Sequence, residues 1–349
     1  MQQGAYAFDT KNRRVKVPTK GARPVFVTFG EGRPYKAASL RLGLQARLSG
    51  AFGHVGVFGA EEAFKRSTDL NTRHRRFLES NKRGFGYWLW KPFLLSAILD
   101  ELRSSDVLVY LDGGCELNLA PSRARLRFTQ YVEFARDNGF LAMETPQLAK
   151  MWTKRDTFNA VLGGDPDPWA RQREACILVI ANTPLSRELL KAWCHYSTID
   201  DYHLLDDSPS VLTEDPLFIE HRHDQAILSL LLVGGDVAPF PYESFFGADA
   251  SATVRDWIAV NDSPEARSLV GSPKDWYRTE YSSLVSSNQR TFIEDIDRWR
   301  SSGHDYPFWA SRNGSLWPLY SGGAAGKLTR RVRHFSRIVL NSTRERLKW

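Results

Sequence analysis

Three stretches of this 349-residue chain bring together side chains that suit chemistry on a charged, ring-bearing substrate. The first runs Arg83-Gly-Phe-Gly-Tyr-Trp-Leu-Trp-Lys-Pro92, with two cations among four aromatic rings. The second is the acidic, glycine-rich run Asp112-Gly-Gly-Cys-Glu116, and the third is His223-Asp224-Gln225. An acidic turn can hold a divalent cation such as Mn²⁺ or Mg²⁺ through oxygen ligands, here Asp112 and Glu116. Arg83 and Lys91 can neutralise a diphosphate, while Tyr87 and Trp88 can stack on a nucleobase or a sugar. Asp224, with Gln225 beside it, can bring a second carboxylate to the reacting carbon. Such parts are needed to break a glycosyl–phosphate bond, whose transition state resembles an oxocarbenium ion and whose leaving group is a dianionic diphosphate.

Each of these residues also has a plainer reading. Asp112 opens an Asp-Gly dipeptide and suits a turn after a strand. Trp88 and Trp90 alternate as core residues do, and Trp90 is expected in the core. Lys91 can be a solvated residue at a helix start. His221 and His223 share a face if the segment is extended, which permits a metal pair, a helix cap or a bond to a carboxylate. Asp224 suits the positive end of a helix dipole whether or not it has another task. Glu144 follows a strand and can reach a ligand. Gly322-Gly-Ala-Ala-Gly-Lys327 is not a phosphate loop, because Ser321 and Leu328 stand where glycine and Ser/Thr are required.

The elements that must position these residues read as α/β. Pro24–Gly30 is a short apolar run stopped by glycine, a helix is expected over 37–48, and His54–Gly59 reads as a second strand, giving a βαβ opening. A helix over 92–102 begins with a proline, where a missing N–H costs nothing. The strand over 106–111 is the clearest in the chain. It delivers Asp112 to the carboxyl edge of a sheet, where ligands bind in open α/β folds. Further strands are expected over 139–143 and 175–180, and helices over 185–193 and 226–233. No organisation is evident from Ser251 to Ser302.

The segments FGYWLWKP, VLVYLDGGCELN and EHRHDQAILSLL resemble, in that order, the motifs GYWxWKP, YxDAGC and HDQS of a bacterial and viral group of glycosyltransferases with the GT-A fold. The resemblance covers most of residues 24–240. It implies a mixed, mainly parallel sheet flanked by helices, a nucleotide-sugar donor, commonly a divalent cation, and transfer to a hydroxyl of a glycan or polyprenyl-linked glycan. Asp112 then corresponds to the first acid of a DxD-type motif, Asp224 and Gln225 to a late pair near the anomeric carbon, and Lys91 to the donor side. His304 is the candidate for a late metal ligand. The second DxD acid falls on Gly114, which has no side chain, so metal dependence stays open.

Charge refines the picture. The chain carries 47 Lys and Arg against 40 Asp and Glu. From Lys327 onward there are eight basic residues and one acid, so the preceding 326 residues balance at 39 against 39. A basic amphipathic helix is expected there, with Leu328, Val332, Phe335 and Val339 on one face, suited to an anionic membrane surface. The neutral body argues against nucleic acid as a partner. The three cysteines show no metal-knuckle spacing and read as small buried hydrophobes in a reducing compartment. The first residues lack the apolar stretch of a signal peptide, so a cytoplasmic protein, peripheral on the inner face of the membrane, is expected. The expected organisation is a loose leader over 1–20, a catalytic domain over 21–310 and a basic tail over 311–349. The competing expectation is a nucleotide-sugar or glycan-binding protein of the same fold without catalysis.

Overall fold

A computed structural model describes residues 23–117, 119, 122–164, 170–235, 237 and 309–311; for Glu116 the description covers the backbone alone. The expected leader, His304, the region from Ser251 to Ser302 and the basic helix lie outside the described residues.

The opening unit is β1 (Val25–Phe29), α1 (Arg33–Ser49) and β2 (His54–Phe58). Gly50, left-handed at φ 65°, ends α1 by turning its N–H back to the Arg47 carbonyl. There follow α2 (Ala60–Arg66), α3 (Arg75–Ser80), α4 (Trp90–Glu101), β3 (Val107–Leu111) and β4 (Cys115–Leu117). The chain continues through α5 (Ser122–Asn138), β5 (Phe140–Leu148), α6 (Arg155–Leu162), β6 (Arg171–Ala181), α7 (Pro184–Tyr196), α8 (His223–Gly234) and β7 (Trp309–Ser311).

Five strands form one sheet in the order β2-β1-β3-β6-β5. β1 is parallel to β2 and β3, while β6 is antiparallel to both β3 and β5, so β6 alone runs against the rest. The expected mixed, mainly parallel sheet flanked by helices is therefore the observed one. All five residues of β3 are buried, because both sheet faces are covered. Leu108 and Tyr110 point to one face, against Phe64 of α2, Leu94 of α4, Trp193 of α7 and Ile227 of α8. Val107, Val109 and Leu111 point to the other, against Leu42 of α1 and Tyr131 of α5. Each large apolar side chain so buried contributes about 1.5–3 kcal/mol relative to exposure.

Two strands exceed their expected lengths. β6 begins at Arg171, within a polar run that is held by pairing with β5 through two register shifts. α5, rich in arginine, had no counterpart in the sequence reading, since its apolar stripe is interrupted by charge. β7 pairs antiparallel with β4, Cys115 opposite Ser311 and Leu117 opposite Trp309, which brings residues 309–311 beside the acidic turn. Among the described residues, no helix is long and apolar enough to cross a membrane.

Candidate active site

The turn after β3 is fixed from both sides. The Asp112 N–H donates to the Cys176 carbonyl on β6 (2.9 Å) and the Cys115 N–H to the Asp112 carbonyl (2.8 Å). The Arg41 guanidinium of α1 donates to the carbonyls of Gly113 (3.1 Å) and Cys115 (2.7 Å). Asp112 thus stands at the carboxyl end of the central parallel strand with its side chain 31% exposed. Its Oδ1 accepts a hydrogen bond from the Tyr110 hydroxyl and lies 3.5 Å from Lys91 Nζ, so Oδ2 is the oxygen left for a ligand.

Lys91 is not a solvated helix-start residue. It is buried in the first turn of α4, with Nζ 2.7 Å from Asp224 Oδ2 and donating to the Ala175 carbonyl at 3.1 Å. Asp224 reaches it from the first turn of α8, while its own carbonyl accepts from the Trp193 indole (3.0 Å). The three segments distant in sequence therefore meet in one bonded network, with Asp112 as its exposed end. Burial pulls the Lys91 ammonium down, but Asp112 and Asp224 outweigh it and hold the pKa above its ordinary value. Burial raises Asp224 to about 6; Lys91 opposes that shift and Asp112 adds to it. Burial, then Asp112, keeps the Tyr110 phenol protonated far above its usual range.

A second group surrounds the aromatics of the turn over 84–88. Gly84, Phe85, Gly86, Tyr87 and Trp88 all have left-handed φ, between 51° and 75°. Such a conformation costs roughly 1–2 kcal/mol for each non-glycine residue. Packing offsets the cost: Trp90 stacks on Phe29 at 3.7 Å and its indole N–H donates to the Gly84 carbonyl (3.1 Å). The turn presses Tyr87 and Trp88 against the imidazole of His223, with centroids 4.9 and 5.7 Å away. Arg83 is tied to Asp207, its Nη1 lying 2.9 and 3.1 Å from the two carboxylate oxygens.

The expected residues fall as follows. Lys91, Asp112 and Asp224 converge, and Trp90 is core. Arg83, Tyr87 and Trp88 gather around His223 rather than around Asp112. Gln225 donates to the Gln172 side chain (3.2 Å), part of a polar ladder with Ser229. His221 is no metal ligand here: its Nδ1 accepts from the Lys154 N–H (3.2 Å) and its Nε2 donates to the Leu204 carbonyl (2.9 Å), both with the ring neutral. Glu144 lies within β5 and pairs with Arg173 (2.9 Å). All three cysteines are free; Cys115 is buried, but Cys176 and Cys194 are partly exposed.

Of the ligands expected for a divalent cation, only the Asp112 side chain is described. No group of three His, Cys, Asp or Glu that could hold a metal ion occurs among the described residues. A Cβ at Gly114 would meet nothing within 4 Å, so there is room for the missing acid, but no acid fills it. Glu174, not among the residues expected at the site, accepts from the Cys176 thiol (2.9 Å); burial raises its pKa, the Cys176 bond opposes that shift and Asp112 adds to it. Its only sequence signal is its place at the polar start of a strand. Tyr110 and Asp207 were likewise invisible as site residues, one reading as core and the other as loop.

No protein-family model matches the sequence, and no curated protein matches it significantly. Among solved structures, the fold shows a distant likeness to apo mouse xyloside xylosyltransferase 1 (12% identity, 64% of this chain and 86% of that one, TM-score 0.38). A second is galactosyltransferase LgtC with donor and acceptor sugar analogues (15% identity, 63% and 74% coverage, TM-score 0.35).

Proposed function

We propose that this chain is a glycosyltransferase of the GT-A type. It would move a sugar from a nucleotide-diphosphate donor to a hydroxyl of a glycan or lipid-linked glycan, in the synthesis of a surface polysaccharide. The observation that carries this reading is the Lys91–Asp112–Asp224 network at the carboxyl edge of the parallel strands, where open α/β sheets bind their ligands. In this reading Asp112 touches the donor through Oδ2, and Lys91 and Tyr110 hold its other oxygen. Asp224 balances the buried ammonium and sets the negative charge near the reacting carbon. Arg83, Tyr87 and Trp88 meet the nucleotide or sugar. With one described carboxylate open to a cation, the described residues do not make up a metal site, and no role in the reaction is assigned to Mn²⁺ or Mg²⁺.

The basic tail belongs to the same reading. Attraction to anionic lipid is worth about 1 kcal/mol for each Lys or Arg near the surface, enough for peripheral binding beside a polyprenyl-linked acceptor.

The burial of Asp224 favours a second reading, a nucleotide-sugar-binding protein without turnover. One experiment separates the two. The purified protein is incubated with a panel of sugar nucleotides, with and without glycan acceptors, and release of nucleotide diphosphate is followed. A transferase releases it, and Asp112→Asn or Asp224→Asn lowers the rate by about a hundredfold while the protein stays folded. Binding without release leaves the second reading. Rates near wild type in both variants overturn the assignment of the site.

A further inference from the structure

His223 carries a lone pair with nothing to accept. Its Nδ1 donates to the Leu205 carbonyl (2.8 Å), which fixes the tautomer and leaves Nε2 as a bare acceptor. The ring is only 2% exposed, and Nε2 is buried without a hydrogen-bond partner among the described residues. Burial keeps the imidazole neutral near pH 7. Facing it is another acceptor, Asp207 Oδ1, 3.6 Å away. With no proton between them, the two acceptors cannot bond each other. Asp207 already accepts from Arg83 and from the Tyr87 hydroxyl, but each carboxylate oxygen has a second lone pair, so an O–H group of a third molecule can be received beside His223 Nε2.

We propose that the corner between the left-handed turn 84–88 and the loop 205–208 is a receptor for the hydroxyls of a sugar ring, with His223 Nε2 and Asp207 Oδ1 as its acceptors. The surroundings fit that class of ligand. Tyr87 and Trp88 are partly exposed and supply aromatic faces for the C–H side of a ring. A cationic ligand is disfavoured, because Arg83 already satisfies the charge of Asp207. Asp207 is about half exposed (47%), so its oxygens can accept a further hydroxyl while Arg83 stays paired with it. The strained backbone of residues 84–88 holds both rings against His223 before any ligand arrives. The receptor deepens the transferase reading and rests on it for its biological use, but its chemistry stands on these residues alone.

The same hydroxyl chemistry belongs to the ribose of a nucleotide and to a glycan, and the test distinguishes them. Affinities of uridine and guanosine diphosphates, their 2′,3′-dideoxy counterparts and a panel of methyl glycosides are measured by calorimetry for wild type, Asp207→Asn and His223→Phe. The phenylalanine keeps a ring in place; Asp207→Asn, at an exposed position, guards against loss of folding. The proposal expects both variants to bind one class about ten- to a hundredfold more weakly. If ribose is the ligand, the dideoxy nucleotide binds wild type equally weakly and the variants add no further loss. If a glycan is the ligand, the glycosides weaken and the nucleotides do not. A change in the ¹⁵N shift of His223 Nε2 on ligand addition reports the same contact without mutation. Unchanged affinities in folded variants overturn the receptor, as does a wild-type protein that binds none of the probes. Turnover insensitive to both variants removes the receptor and leaves the transferase; binding that needs both residues without turnover does the reverse.

Discussion

Asp224 is a carboxylate buried against a buried ammonium. Burial raises its pKa from 3.8 to about 6 even though Lys91 lies 2.7 Å away, so the folded chain holds this proton more tightly than an unfolded chain does. Its contribution to stability is therefore fully present below pH 3.8 and is lost as pH rises through about 6. Relative to Asp224→Asn, wild type should lose on the order of 2–3 kcal/mol between pH 4 and 7, as read from urea unfolding at each pH. A difference independent of pH would show that the proton is not held there. Gly114 offers the complementary test. Its absent side chain leaves open space two residues from Asp112, so Gly114→Asp should fold as wild type does and create a two-acid cation site. Mn²⁺ at about a hundred times its dissociation constant should then stabilise the variant by about 2.7 kcal/mol more than wild type, seen as a rise in Tm. No difference in Mn²⁺ response would mean the two carboxylates diverge.

At the scale of elements, the turn over 84–88 is the part most tightly specified. Gly86 has φ 75°, and a Cβ there would come within 2.8 Å of the Leu78 backbone. Gly86→Ala therefore has both a backbone and a steric cost, and should destabilise by more than about 1 kcal/mol. It should also loosen Tyr87 and Trp88 from His223, which a fall in the denaturation midpoint together with a change in tryptophan fluorescence would reveal. A variant as stable as wild type would mean that the turn relaxes to right-handed geometry. The loop before α8 is secured differently, by a buried cation. Lys154 Nζ binds the His203 and Ser208 carbonyls and Asp206, and Asp156 accepts from His203 (2.7 Å) and from the backbone N–H groups of Val211 and Leu212. These bonds hold the loop that carries Asp207 to His223.

For the whole molecule, the division between a neutral body and a basic end has a direct consequence. A chain ending at Ser311 keeps the β4–β7 pair and the described sheet, so it should still bind any ligand of the body. It should lose sedimentation with anionic vesicles, whereas full-length binding should fall steeply between low and high salt. A truncated chain that still sediments would assign membrane contact to the body. In that case α1 would be the surface to examine, with Tyr35, Leu40 and Leu48 each at least 60% exposed.

The sequence by itself determined the α/β class, because an apolar run ending in glycine or aspartate marks a buried strand wherever it sits. It also marked the three segments that meet, since Asp112 ends the clearest of the expected strands and Asp224 stands at the start of the most apolar of the expected helices. Trp90 is core as expected, but as the first residue of α4 stacked on Phe29, not through the strand-like alternation that suggested it. Side-chain partnership was decided only in three dimensions. Lys91 lies 21 residues from Asp112 and 133 from Asp224, and nothing local says that its ammonium turns inward to join them. Glu174, Tyr110 and Asp207 became site residues through pairing of β6 with β3, the pleat of β3 and the loop tied by Lys154. The left-handed turn was hidden for a related reason: local propensity opposes it, and only packing of Trp90 on Phe29 and of Tyr87 and Trp88 on His223 makes it the lower-energy choice.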